Sequence, residues 1–140
     1  MTETPWYGAE EPDGGQHLAD DECWELLAAH RFGRFAFHLA DEVHLVPVNY
    51  LAEGGRLLVR TAEGSKLLGV HMNADVAFEI DDVGTDNAWS VVLRGRARVL
   101  HGDEYERAGA AIPTPWSGPG REEIISIEPV EISGRRFTPS

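Results

Sequence analysis

Apolar residues recur with two different periods along this chain. Cys23, Leu26, Leu27 and His30 fall three and four apart, which predicts one buried stripe of a helix from about Asp20 to His30. Asp20 or Asp21 can cap its start, Asp21 and Glu22 suit the positive helix end, and Arg31 suits the other. Gly33 reads as the glycine just beyond that helix. Cys23, on the buried stripe, reads as a small core hydrophobe.

From Arg34 the period falls to two. Residues 34–38 alternate, with Phe35 and Phe37 on one face, and Glu42 to Leu51 reads as a second strand in which Pro47 marks an edge or a bulge. Glu53-Gly54-Gly55 makes a hairpin turn into Arg56–Thr61. A short helix is expected from Ser65 to about Asn73, then strands over 75–81 and 89–101. In the latter, Val91, Leu93 and Gly95 oppose Val92, Arg94 and Arg96, and Gly95 permits a barrel corner. Residues 103–111 fit one more helix, and the Pro/Gly run 112–120 cannot be regular. A last strand covers about 123–127 and continues to Ile132, with Gly134 to Phe137 beyond it.

About six mostly antiparallel strands with three short helices imply a mainly β fold, a small closed barrel without exposed edges. Residues 1–17, acidic and rich in Gly and Pro, are expected to form a flexible arm, and 18–140 a single domain. Trp6 and Tyr7 could lie across a neighbouring surface or belong to a loose tail.

Composition narrows the choice of partners. With 24 acidic residues, 12 basic ones and a net charge of −12, the chain is a poor match for nucleic acid. One cysteine excludes an intrachain disulfide and a thiolate zinc cluster, and the scattered histidines have no helical metal spacing. No run approaches the ~18 apolar residues of a membrane helix. No secretory signal is visible, and a cytoplasmic location is expected.

An acidic protein that holds an anion needs a local positive site. Arg60 to Leu67 offers one: a strand runs through Gly64 into a helix start at Ser65, where free backbone amides favour phosphate or carboxylate. Lys66 is the only lysine in the chain. The same residues would also serve an ordinary capped helix start. Trp89 and Trp116 could flank a planar ligand or pack half-buried. There is no G-x-S-x-G elbow, no P-loop and no G-x-G-x-x-G after a strand. Asp20-Asp21 and Asp81-Asp82 read as solvated element ends. A phosphate cradle without an evident nucleophile suits a cofactor that carries the chemistry itself.

The succession PVNYL (47–51), LLVRTAEGSKL (57–67), DVAFEIDD (75–82), WSVVLRGRARV (89–99), the Pro-Trp loop (115–116) and ISGRRF (132–137) resembles the pyridoxamine 5′-phosphate oxidase-like flavoproteins. That resemblance implies a six-stranded antiparallel split β-barrel of Greek-key type, which binds FMN at a homodimer interface. It implies that Arg60, Ser65 and Lys66 hold the FMN phosphate with Thr61 nearby. Val48 and Asn49 would lie along the isoalloxazine ring. Ser90, with Trp89, would reach the flavin from the partner subunit, and Trp116 would lie near the ring or the site mouth. The arginine and lysine that the true oxidase carries in the strand of Val46–Leu51 are absent here. Ser90 replaces a glutamine, and the arginine-histidine element for pyridoxal phosphate is not recognisable. The expectation is therefore a flavin-dependent oxidoreductase acting on a small molecule and not a producer of pyridoxal phosphate. A deazaflavin-dependent reductase and a non-catalytic flavin- or haem-binding protein stay open as alternatives. His44 and Tyr50 are possible acid or base groups, though exposed strand positions explain them equally well.

Overall fold

Alternating side chains fold this chain by placing one set of residues inside a ring of strands. The computed structural model describes residues 15–39, 41–61, 74–112 and 122–138. In chain order the elements are β1 (Gln16–His17), α1 (Asp20–Ala29), β2 (Phe32–Leu39), β3 (Glu42–Glu53), β4 (Arg56–Thr61), β5 (Ala74–Val83), β6 (Ala88–Val99), α2 (Gly102–Ala111) and β7 (Glu123–Phe137). The expected helix at Ser65 falls outside the described residues.

Every pairing is antiparallel, and the sheet order β7-β4-β3-β2-β5-β6 closes on itself because β6 also pairs with β7. This is the expected six-strand barrel. The long β7 makes closure possible: its first part bonds β4 through Thr61↔Glu123 to Leu57↔Ile127, while Ile125 to Phe137 track β6. The register with β6 shifts between Arg94 and Gly95, at the expected corner. A Cβ at Gly95 would run into the Glu128 carbonyl, so the close approach needs glycine. Gly54 and Gly55 carry positive φ in the β3–β4 turn, as a tight hairpin requires.

The barrel interior is Phe35, Phe37, Val48, Tyr50, Leu57, Val59, Val76, Phe78, Ile80, Val91, Leu93, Ile125 and Ile127. Helix α1 adds Cys23 and Leu27 to this core and packs on β3, β6 and β7. Burial and then the charges of Asp20, Glu22 and Asp21 push the Cys23 thiol up, in keeping with a core role. A second cluster lies outside the barrel, where α2 presses Ala108 and Ile112 onto Leu58, Leu100 and Ile124.

Several local expectations are corrected. Gly33 does not end the helix; it lies within β2, where a Cβ would come 2.5 Å from Phe78 Cζ and 2.8 Å from the Glu79 carbonyl oxygen. The α1 N-cap is Ala19, not an aspartate, and Glu22 Oε1 accepts from its N–H at 3.1 Å. Asp21 still contributes by accepting from the Glu22 N–H at 2.9 Å. The last two residues of the expected arm form β1, paired with Arg135 and Arg136. Pro47 lies where β3 has β2 on one side only, since the β4 ladder starts at Asn49↔Arg60. That matches its reading as an edge residue.

Candidate functional site

Alternation decides which candidate residues can meet a ligand. On β3, Val48 and Tyr50 point into the barrel and Asn49 points out; on β4, Val59 and Thr61 point in and Arg60 out. Val48 is fully in the core, so only its backbone can border a ligand on the outer face. Thr61 is buried at the end of β4. Asn49 lies across from Phe32 on one side and Arg60 on the other. Phe32 is 51% exposed, so an apolar ring stands open on the strand next to the Asn49 amide.

The Arg60 side chain is 13% exposed and turns toward the end of α2. Its Nη2 donates to the Gly109 carbonyl at 2.8 Å and to the Ile112 carbonyl at 3.4 Å. Its Nη1 pairs with Glu122 at 3.3 Å. Nε is buried without a partner among the described residues. Ser65, Lys66 and Trp116 lie outside those residues.

Trp89 and Ser90 point opposite ways. Trp89 is buried with the barrel core, its ring 5.1 Å from that of His30. Of its two readings, packing is the one its place in this chain favours. Ser90 faces out, across from Asp81 on β5 and Arg135 on β7. Beside it Arg34 Nη1 bridges Glu79 at 2.9 Å and Asp81 at 3.4 Å. Burial, then the hydrogen bond and charge of Asp81, push Glu79 up to about 7 against the pull of Arg34. Asp81 is thus part of a bridged cluster and not merely a solvated strand end.

The two acid or base candidates are placed away from this face. Tyr50 is fully buried, and its hydroxyl donates to the Leu27 carbonyl at 2.6 Å, which ties β3 to α1. Burial pushes its phenol up, so it is a core anchor and not a proton donor. His44 stacks on Phe37 at 5.3 Å and meets Glu42 at 3.3 Å, on the opposite side of β3 from Asn49.

Residue order missed two features. Phe32 carries an outward signal in its parity with Arg34, whereas Glu122 and the end of α2 have no local signal that ties them to Arg60.

A closed antiparallel barrel with its polar candidates on the outer face defines a class of small ligand-binding barrels. The chain belongs to the pyridoxamine 5′-phosphate oxidase family, whose model matches residues 19–136. It is 34% identical to a Corynebacterium glutamicum protein provisionally assigned as a pyridoxamine 5′-phosphate oxidase. That structure superposes with a TM-score of 0.78, over 94% of this chain and 98% of the other. The structure of the FAD binding protein from Mycobacterium smegmatis matches with a TM-score of 0.69 and 32% identity, over 87% of this chain and 97% of that one. An uncharacterised Mycobacterium tuberculosis protein is 32% identical over 127 residues, 86% of this chain and 84% of its own length.

Proposed function

We propose that this protein is a cytoplasmic, flavin-dependent oxidoreductase that holds FMN between the two chains of a homodimer and acts on a small molecule. The observation that carries the reading is the outer face itself. Phe32, Val43, Leu45, Val83 and Val92 are large apolar residues exposed on β2, β3, β5 and β6, the run of strands that reaches from Asn49 to Ser90. A sheet face of that kind asks for a covering partner. Its groove, about 420 Å3 and lined by Ala36, Val43, Ala77, Arg94 and Val130 among others, has room for a partner's side chains.

The residues fit a flavin. Phe32 and Asn49 offer an apolar surface with a polar edge, as an isoalloxazine ring requires, and Ser65 and Lys66, which follow β4 in the sequence, would supply a hydroxyl and a charge. A second chain would bring its own Ser90 to the ring. When bound, the flavin supplies the hydride chemistry. The protein's part is to bind, orient and exclude water, since Tyr50 is committed to the core. The true oxidase's substrate residues are missing, so the substrate is another small molecule. The flavin-binding mycobacterial relative supports this choice over haem.

The visible spectrum of freshly purified protein tests the reading, followed by titration with FMN, FAD and a deazaflavin and by addition of a nicotinamide donor. Flavin absorbance bleached by the donor is expected. A Soret band, or no uptake of any flavin, would overturn it.

A further inference from the structure

Arg60 is connected to both ends of the stretch 113–121. Gly109 and Ile112, in the last turn and at the C-cap of α2, accept from Nη2. Such terminal carbonyls have no partner within the helix. Glu122, directly before β7, pairs with Nη1, and its carboxylate is 14% exposed. The Tyr105 hydroxyl closes the same junction by donating to the Glu122 carbonyl at 2.7 Å. Beneath them, Arg60 is the register partner of Asn49 on one side and Ile124 on the other. One guanidinium therefore joins β4, α2 and the entry to β7 beside the open Phe32–Asn49 surface.

We infer that Arg60 is a positioning residue of the Phe32–Asn49 surface: it fixes the end of α2 and the start of β7 against β4, and does not itself grip the ligand's phosphate. Arginine binds phosphate strongly through a two-pronged fork. Here three of the five N–H groups are engaged by protein acceptors, both on Nη2 and one on Nη1; among the described residues only Nε–H and one Nη1–H remain, which do not form a fork together. Glu122 also neutralises the charge at close range. A phosphate would have to displace a carboxylate from a nearly buried pair, which is costly. This inference rests on the flavin reading for its ligand, but the clamp itself does not.

The experiment compares Arg60→Gln, Arg60→Lys and Glu122→Gln with wild type in two ways. Titration with FMN and with riboflavin, which lacks the phosphate, should show each variant weakened by about tenfold for both compounds, the scale of one charge-assisted contact. Lysine should fail to rescue, because it cannot reach three acceptors at once. A loss confined to FMN, with riboflavin affinity unchanged and lysine restoring it, would make Arg60 a phosphate ligand and overturn the inference. Amide hydrogen exchange on ligand-free protein supplies the second readout. Faster exchange at Gly109–Ile112 and Glu122–Ile124 in all three variants is expected, with the barrel strands protected as in wild type. Unchanged exchange at those amides would also overturn it. A wild type that binds neither compound would sink the flavin reading alone, with the exchange result still deciding the clamp.

Discussion

Asn49 and Ser90 project from the same outer face of the barrel with two whole strands, β2 and β5, between them. Three strand spacings put them roughly 14 Å apart on a curved sheet, where their side chains diverge. A single chain cannot close both onto one ring. Phe32 across from Asn49 and Val92 two residues beyond Ser90 are exposed apolar surface that a second chain would cover. Leu45, 65% exposed on β3 on the same side as Asn49, is the position to test. Leu45→Glu should leave the barrel folded, convert the dimer to a monomer in size-exclusion chromatography, and abolish flavin uptake with it.

The phosphate assignment rests on Lys66. Its replacement by alanine should weaken FMN binding by about 1.5–3 kcal/mol, the size of a charged hydrogen bond, and leave riboflavin binding unaltered. Fluorescence titration of both compounds measures the contrast. Equal FMN affinity in mutant and wild type would remove Lys66 from the site.

Tyr50 separates structural from chemical roles. Tyr50→Phe deletes the short bond to the Leu27 carbonyl, which keeps only the 3.4 Å bond from the His30 N–H, at a cost of about 1 kcal/mol in denaturant unfolding. Flavin affinity and turnover should not change. A loss of turnover at full flavin occupancy would return Tyr50 to the chemistry.

Glu79 makes stability depend on pH in a defined direction. In the folded chain it keeps its proton to about 7, whereas an unfolded glutamate releases it near 4.5. Between those values the folded state binds more protons, so stability falls as pH rises through the window and levels off above it. No such penalty exists below the window, where both states are protonated. Glu79→Gln should therefore remove the slope and raise the melting temperature at pH above about 7 relative to wild type. Thermal melts across the window check this. A wild-type melting temperature that rises from the lower to the upper end would contradict the assignment.

How far the fold could be read from residue order follows from the range of the interactions involved. Strand faces came from alternation: the parity that separates Val91 and Leu93 from Val92 and Arg94 holds in β6. The same parity puts Trp89 inside, so its burial was readable had face outweighed residue type. Gly33 was misread because its requirement comes from Phe78 on β5, a neighbour only after the sheet has formed. The Arg60–Glu122 pair spans 62 residues and depends on where α2 lands, so nothing local announces it. Asn49 shows the opposite case, since its outward direction follows from Val48 and Tyr50 on either side.

Mixed dimers test the two-chain flavin site most directly. Asn49→Trp blocks one half of each site and Ser90→Trp the other, so each variant alone should form dimers without flavin. A dimer containing one chain of each kind has one site with both blocks and one with neither. The account predicts one bound flavin per mixed dimer, read by absorbance after separation with two different affinity tags. Mixed dimers that bind no flavin would contradict it, as would either variant alone retaining a full complement.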